Sequence, residues 1–191
     1  MGFSQEDESE KPEAAWENPV LVIVRGIKYN ESYKMLTGGI CMGSYLNPGN
    51  EAFAVALNSE IYVDKTELLE QLNLRLSTEN KCIAVSHARR FGKSHAAGMI
   101  DAYYSLGCDS SNLFDNTKIA ANADYKKYMN KYNVIHLDVS SFWDDFKDNL
   151  VEKIKEYIID DFKKSFNDEI DYSKKFSVIL MSVYKKNNYS I

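Results

Sequence analysis

A short apolar run leads into a Gly-Lys-Ser turn, and the turn leads into a segment of helical composition. The apolar run is residues 82–85, the turn is Gly92-Lys93-Ser94, and the helical segment covers residues 94–105. A short apolar run of this kind is typical of a buried parallel strand, and parallel strands are joined by helical crossovers. The order therefore predicts a strand, a tight loop and a helix belonging to an α/β sheet.

The residue types of the turn predict a phosphate-binding loop. Gly92 lets the backbone approach a phosphate closely, Lys93 supplies a positive charge, and the Ser94 hydroxyl is a ligand for magnesium. The free amides at the start of the following helix would face the same ligand. The full loop pattern has a glycine five residues before Gly92, where this chain has His87. The alternative is a surface turn in which Ser94 caps a helix.

A second strand is predicted at residues 133–139, which read Asn-Val-Ile-His-Leu-Asp-Val. Strand, helix and strand then alternate as a parallel sheet requires, with a right-handed crossover between the strands. Ligands of such sheets lie at the carboxyl ends of the strands, so Asp138 is expected near Gly92. A structural role is favoured for Asp138 over a functional one.

Residues 60–70 are predicted to form a short strand that enters a helix. Asp64 and Glu67 have the D-x-x-E spacing of a capping pair, so Asp64 is expected to be a cap rather than a catalyst. The apolar face of this helix is formed by four leucines, namely Leu68, Leu69, Leu72 and Leu76.

Three more helices are predicted after the loop helix. A polar one covers residues 117–132, a long amphipathic one covers 144–166, and a third covers 172–186. An apolar stripe at four-residue spacing in the long helix is typical of core packing. Its members are Phe146, Leu150, Ile154, Ile158, Phe162 and Phe166.

Length and charge restrict the class of protein. The chain has 191 residues, of which 45% are hydrophobic and 27% are charged, as in a globular protein of about one domain. Its formal net charge of -5 argues against a strongly basic nucleic-acid surface. A local phosphate-binding patch of Arg89, Arg90 and Lys93 is compatible with that charge.

The cysteines and the chain start indicate a cytoplasmic protein. Cys41, Cys82 and Cys108 have neither paired disulfide spacing nor a metal-binding pattern, which fits a reducing compartment. The apolar run at residues 19–24 is too short to span a membrane, and the acidic residues before it do not resemble a signal peptide. Residues 1–17 are expected to be disordered, and residues 20–27 to form a strand.

Beyond the loop, several motifs resemble those of the AAA-ATPase-like domain family, which occurs in many bacterial proteins, often ahead of a PD-(D/E)xK nuclease-like region. The family loop also lacks the first glycine and usually reads Arg-Pro-Arg-Arg-Phe-Gly-Lys-Ser or Thr, whereas this chain has His87 and Ala88 at the first two positions. The matching motifs cover roughly residues 42–191 and read Tyr45-Leu-Asn-Pro-Gly-Asn50, Asn58-Ser-Glu-Ile-Tyr-Val-Asp-Lys-Thr66, Arg89-Arg-Phe-Gly-Lys-Ser94, Leu113-Phe114, Lys118-Ile-Ala120 and Asn130-Lys-Tyr-Asn-Val-Ile-His-Leu-Asp138.

The resemblance implies an α/β fold of the P-loop NTPase type, a three-layer domain with a mostly parallel sheet that is incomplete here. Residues 1–41 would be a partly disordered extension, and residues 42–191 the N-terminal portion of the ATPase domain, with Met42 as its natural start. The family's aspartate-containing magnesium strand is expected to begin near residues 189–191. The chain is therefore expected to be a C-terminally truncated member of the family.

The resemblance and the residue chemistry together imply ATP and magnesium as cofactors. Lys93 is expected to be the catalytic residue that holds the β and γ phosphates, and Ser94 the magnesium ligand. By resemblance alone, residues 62–65 are placed against the base. The residues expected to bind the cofactor are Arg89, Arg90, Phe91, Gly92, Lys93, Ser94 and His95.

The expected function is ATP binding through a Walker A-like loop, with hydrolysis expected of a full-length parent rather than of this chain. The alternatives are a phosphoryl-transfer kinase, which uses the same loop, and a non-catalytic module that docks a partner through residues 144–166. A nucleic-acid-linked defence or processing factor is a further alternative, although nothing in this acidic chain reads bases. The expected partners are the nucleotide and, in the parent, a second copy or a nuclease-like C-terminal region. Neither a membrane nor nucleic acid is expected as a partner.

Overall fold

A computed structural model describes residues 20–25, 45–76, 78–86, 88, 90–146, 148–166 and 170–187. Several sequence predictions concern residues outside these ranges. They are the disordered tail at residues 1–17, the natural start of the domain at Met42, and the magnesium strand near residues 189–191. The predictions for the cysteine Cys41 and for the loop residues His87 and Arg89 also concern residues outside these ranges.

Two of the predicted strands are present and pair with each other. Strand β1 spans Val20–Arg25, and strand β2 spans Asn133–Asp138. They form a two-stranded parallel sheet in which Val20 lies opposite Asn133 and Arg25 lies opposite Asp138. A strand from the N-terminal extension therefore pairs with a strand more than a hundred residues away in the sequence.

The segment that contains Tyr45 and Asn47 occupies the other edge of β2. The amide of Asn47 donates to the carbonyl of Val134 at 2.7 Å, and the amide of His136 donates to the carbonyl of Tyr45 at 2.8 Å. Because the backbone groups of alternate residues point to opposite edges of a strand, these bonds lie on the edge away from β1. Both edges of β2 are therefore occupied.

The predicted buried strand at residues 82–85 is wrong for this structure. The segment belongs to no strand and is exposed, with Ile83 at 41% and Val85 at 54% exposure. A strand offers only two edges, and β2 uses both for other partners. The predicted three-layer, mostly parallel sheet is likewise not formed among the described residues, which are mostly helical apart from β1 and β2.

Helices make up most of the described structure. None of the described helices is long and apolar enough to cross a membrane. Two short 3-10 helices lie at Lys118–Ala121 and Tyr125–Lys127. The α-helices are α1 (Glu51–Leu57), α2 (Glu67–Asn73), α3 (Lys93–Tyr104), α4 (Ser111–Phe114), α5 (Val139–Phe146), α6 (Leu150–Phe166) and α7 (Phe176–Asn187).

Two helix predictions are confirmed and two are wrong in extent. The loop helix and the last helix appear as α3 and α7, each shifted by a few residues at its ends. The polar helix predicted at residues 117–132 is replaced by two 3-10 helices, because the side chain of Asn122 accepts the amide of Asp124 at 2.9 Å and competes with a helical bond.

The long helix predicted at residues 144–166 is divided between α5 and α6. The amide of Asn149 donates to the carbonyl of Phe146 at 3.0 Å and forms a turn between the two helices. The turn folds α5 back so that the rings of Phe142 and Tyr157 lie 5.5 Å apart. Aromatic packing between the two helices therefore outweighs the continuous helical pattern.

The first of two core clusters is aromatic and lies around α1, α2 and α3. The ring of Phe114 is stacked on Phe53 at 4.8 Å and meets Tyr103 edge-on at 5.3 Å. Of the predicted leucine face, Leu69 is fully buried and the others pack against this cluster. The predicted apolar face of α2 is thus confirmed.

The second core cluster joins β2 to α6 and α7. Its buried members include Ile135 and Leu137 of β2, Ile158 and Phe162 of α6, and Val183 of α7. The predicted stripe of α6 is therefore core packing, as expected. Val134 belongs to the first cluster, so β2 lies between the two cores and contributes alternate side chains to each.

A buried carboxylate ties α6 to the segment beside β2. Asp161 is almost fully buried, and its Oδ2 accepts the amides of Tyr45 at 2.7 Å and Leu46 at 3.3 Å. Replacing Asp161 with Ala leaves two amides without this acceptor, so Asp161→Ala is expected to lower the free energy of unfolding by about 2–4 kcal/mol. Urea denaturation measures this quantity.

Asp160→Ala is the matched control for this prediction. Asp160 is the preceding residue of α6 and forms an exposed ion pair with Lys163 at 3.6 Å, which is worth about 0–1 kcal/mol. Equal losses in Asp160→Ala and Asp161→Ala would show that the buried hydrogen bonds of Asp161 do not stabilise the fold.

Candidate functional site

The loop before α3 has two residues with a left-handed backbone. Arg90 has φ 68° and Gly92 has φ 77°. Glycine adopts this conformation without steric cost, and Gly92 is the residue that immediately precedes α3. The loop therefore turns sharply at Gly92 and directs the chain into the helix.

The predicted phosphate-binding residues lie at the start of α3. Lys93 is the first residue of the helix, and its Nζ donates to the carbonyl of Ala88 at 2.8 Å. Ser94 is half-buried and His95 is exposed. The first helical bond runs from the amide of Ala96 to the carbonyl of Gly92, so the amides before Ala96 have no carbonyl partner within the helix.

A cleft of about 420 Å³ lies directly beside this loop. Three of its lining residues, Lys65, Arg90 and His95, are basic, and none of the described residues that line it is acidic. In a chain with a formal net charge of -5, the cleft is therefore a local cluster of basic side chains. Its lining is completed by Ile61, Tyr62, Val63, Phe91, Gly92, Ala96 and Met99.

Three apolar residues that line the cleft are open to solvent. Ile61 is 84% exposed, Val63 is 66% exposed, and Phe91 is 54% exposed. Burial, with a smaller contribution from Asp64, raises the pKa of Tyr62 to about 12, so this ring stays neutral at physiological pH. A cleft lined by both basic and apolar side chains fits a ligand that has a charged part and a flat apolar part.

Lys65 contacts the loop directly. Its Nζ donates to the carbonyl of Phe91, 26 residues away in the sequence, and it would lie 3.1 Å from a Cβ atom built on Gly92. Sequence reasoning placed Lys65 near a base by resemblance and missed this contact, because no local pattern shows which distant residue meets a loop.

Asp64 anchors the segment that carries Lys65. Its Oδ1 accepts the amide of Thr66 at 2.8 Å, and its Oδ2 accepts the amide of Lys118 at 2.7 Å. The predicted capping pair is wrong in detail, since Thr66 precedes α2 directly and Glu67 pairs with Lys118. The expectation that Asp64 is structural agrees with these bonds.

The pKa of Asp64 reflects the same contacts. Burial by itself would raise this pKa, but the amide hydrogen bonds from Thr66 and Lys118 outweigh burial and hold the pKa below its usual value. The charged form is therefore favoured in the folded state.

A buried pair fixes α3 against β2. His136 Nδ1 of β2 is hydrogen-bonded to Asp101 Oδ2 of α3 at 2.6 Å. Asp138, at the carboxyl end of β2, is half-buried and does not line the cleft. Among the described residues, no group of three or more His, Cys, Asp or Glu side chains is arranged to hold a metal ion.

Because the folded-state pKa of Asp64 is lowered, the stability it supplies is complete above the ordinary aspartate pKa and is lost as the pH falls through the lowered value. Asp64→Asn is expected to lower the free energy of unfolding at pH 7 by about 0.5–1 kcal/mol, allowing for solvent screening. The difference from wild type is expected to shrink when the pH falls below the lowered pKa of Asp64. Urea denaturation at several pH values measures it.

Asp124→Asn is the control for this pH dependence, because no hydrogen bond to the Asp124 carboxylate is found among the described residues. It is expected to change the stability little at either end of the pH range. A stability difference in Asp64→Asn that stays constant with pH would contradict the role given to the carboxylate.

Comparison with known proteins gives one match. Residues 51–191 match the model of a family described as predicted AAA-ATPase. No curated protein and no solved structure shows significant similarity to the chain. The matched region contains Lys65, the loop, α3 and β2, and it covers well over half of the sequence. The chain therefore belongs to the AAA-ATPase-like family.

Proposed function

We propose that the chain binds ATP with magnesium, with the phosphates at the loop before α3 and the base in the adjoining cleft. The observation that carries this proposal is the cleft itself, which is lined by the glycine turn at Gly92, by three basic side chains and by exposed apolar side chains. Its volume of about 420 Å³ lies within the range of about 300–1,000 Å³ that is usual for small-molecule sites. Membership of the family supports a nucleotide as the ligand.

The phosphates are assigned to the turn and to the first turn of α3. The amides from Gly92 to His95 lie at the positive end of the helix, where anions are stabilised. The Nζ of Lys93 donates to a neutral carbonyl, that of Ala88. A phosphate oxygen is a stronger acceptor for an ammonium group, so binding exchanges this bond for a charge-assisted one. Arg90 lines the cleft and adds a second cation.

Ser94 is assigned to magnesium. Its hydroxyl lies in the first turn of α3, next to Lys93, and the side chain is only partly buried. Magnesium in nucleotide sites is held by one or two protein oxygens together with phosphate oxygens, so a cage of carboxylates is not required. Bound magnesium would neutralise part of the phosphate charge.

The base is assigned to the exposed apolar residues that line the cleft. The ring of Phe91 and the side chains of Ile61 and Val63 are exposed there, and a flat aromatic base would cover them. Exposed apolar groups that cluster beside a polar site are typical of ligand binding. The proposed base site therefore extends from Phe91 to residues 61–63.

Binding, rather than turnover, is proposed for the described residues. Hydrolysis requires a group that orients the attacking water, and no described residue that lines the cleft carries a carboxylate. Kinase activity would require an acceptor site as well.

Replacement of Lys93 is the first test of the site. Lys93→Ala is expected to weaken ATP binding by about 10- to 100-fold, since a hydrogen bond to a charged group is worth about 1.5–3 kcal/mol. Titration with a fluorescent ATP analogue in the presence of magnesium measures this loss, and released phosphate is followed in the same samples. Lys131→Ala, which removes an exposed lysine that belongs neither to the loop nor to α3, is the control. Equal binding by both variants would contradict the assignment.

Replacement of Ser94 tests the magnesium assignment separately. Wild type is expected to bind ATP more tightly with magnesium than with EDTA, and Ser94→Ala is expected to remove most of this difference. Ser182→Ala is the control, because the Ser182 hydroxyl only donates to the carbonyl of Val178 within α7. An undiminished magnesium effect in Ser94→Ala would rule out Ser94 as the ligand.

A further inference from the structure

Lys65 is a second lysine that reaches the loop, and it comes from a different part of the chain than Lys93. Its Nζ lies over Gly92, where an added Cβ would approach it to 3.1 Å, and it donates to the carbonyl of Phe91. The ammonium group therefore lies at the turn that the phosphates are proposed to approach. It also lines the same cleft as Arg90 and His95.

The position of Lys65 is fixed by its neighbours on both sides. Asp64 accepts the amides of Thr66 and Lys118, and the Thr66 hydroxyl accepts the amide of Ile119 at 3.0 Å. Thr66 is fully buried, whereas Lys65 is only half-buried. The backbone is thus held against the 3-10 helix that contains Lys118, while the side chain extends toward the loop. A side chain on an anchored backbone loses less entropy on binding than one on a free loop.

The contacts of Lys65 do not neutralise its charge. Among the described residues it forms no ion pair, and its hydrogen-bond partner is a neutral carbonyl. The charge of the nearby Lys118, by contrast, is neutralised, since Lys118 pairs with Glu67 at 3.1 Å. An unneutralised ammonium group in a cleft without acidic lining favours a charged oxygen ligand.

We propose that Lys65 is a further phosphate-binding cation of this site, besides Lys93 and Arg90, which lies against the Phe91 carbonyl and contacts the terminal phosphate of a bound nucleoside triphosphate. This inference rests on the proposed function, because it needs a phosphate at the loop. Lys93 belongs to α3 and Lys65 to the segment before α2, so two ammonium groups from distant parts of the chain would contact the phosphate chain. Such an arrangement recognises the number of phosphates in the ligand.

Recognition of the phosphate number gives the inference a specific signature. A terminal phosphate is present in ATP and absent from ADP, so loss of Lys65 should affect ATP more than ADP. Adenosine has no phosphate and should be unaffected. Because the contact is between charges, it should also weaken with salt. A lysine that merely supported the loop would influence all phosphate-bearing ligands alike and would not change the salt dependence.

The experiment compares Lys65→Met with wild type by calorimetric titration of ATP, ADP and adenosine with magnesium, at two salt concentrations. Lys65→Met is expected to weaken ATP binding by about 10- to 100-fold and ADP binding by less, and to flatten the salt dependence for ATP. Lys65→Arg, which keeps the charge, is expected to retain most of the affinity. Lys131→Met is the matched control and is expected to bind like wild type.

The outcomes separate this inference from the proposed function. If wild type binds ATP and Lys93→Ala does not, but Lys65→Met binds ATP as tightly as wild type, the role of Lys65 is wrong and the ATP site remains. Equal weakening of ATP and ADP with an unchanged salt dependence would also overturn it. If wild type binds no ATP, the proposed function and this inference both fail.

A measurement on wild type covers the case in which Lys65→Met does not fold. Acetylation of exposed lysines is followed by mass spectrometry with and without ATP. ATP is expected to protect Lys65 severalfold more than ADP does, while Lys131 is modified equally in all samples. Acetylation of Lys65 at the same rate with and without saturating ATP would overturn the inference.

Discussion

The arrangement of this chain depends on β2, a strand with two occupied edges and two covered faces. β1 pairs with one edge, and the segment around Tyr45 and Asn47 is bonded to the other. Alternate side chains enter an aromatic cluster on one face and an aliphatic cluster with α6 and α7 on the other. Because so many backbone and apolar groups meet on one strand, the positions of the neighbouring helices follow from it.

The candidate site is attached to this core through α3. The bond between Asp101 and His136 holds the middle of the helix against β2, so the start of α3 projects from a fixed support. The segment with Lys65 approaches from the other side and is anchored through Asp64 and Thr66 to a 3-10 helix. The loop between these supports carries the glycine turn. In a site built in this way, packed elements hold both sides of a ligand-binding loop.

Local patterns were sufficient where the structure depends on neighbours in the sequence. The helix after the Gly-Lys-Ser turn, the strand that became β2 and the apolar stripe of α6 are all recovered, since periodicity reports which side chains face a core. The strand predicted at residues 82–85 is wrong, because an apolar pattern shows that a strand is possible but does not show that the edge of another strand is free to pair with it. The division of a long helix into α5 and α6 was missed because aromatic contacts between helices decide it.

The sequence by itself determined the family, the loop residues from Arg90 to His95 as candidates, and the helix that presents them, because each depends on residue types at short spacing. Only the tertiary structure decided that Lys65 lies on Gly92, that Ile61 and Val63 share a cleft with Phe91, and that this cleft has no acidic lining among the described residues. Those facts join segments that are distant in sequence. Their proximity depends on core packing and backbone hydrogen bonds, which no local pattern encodes.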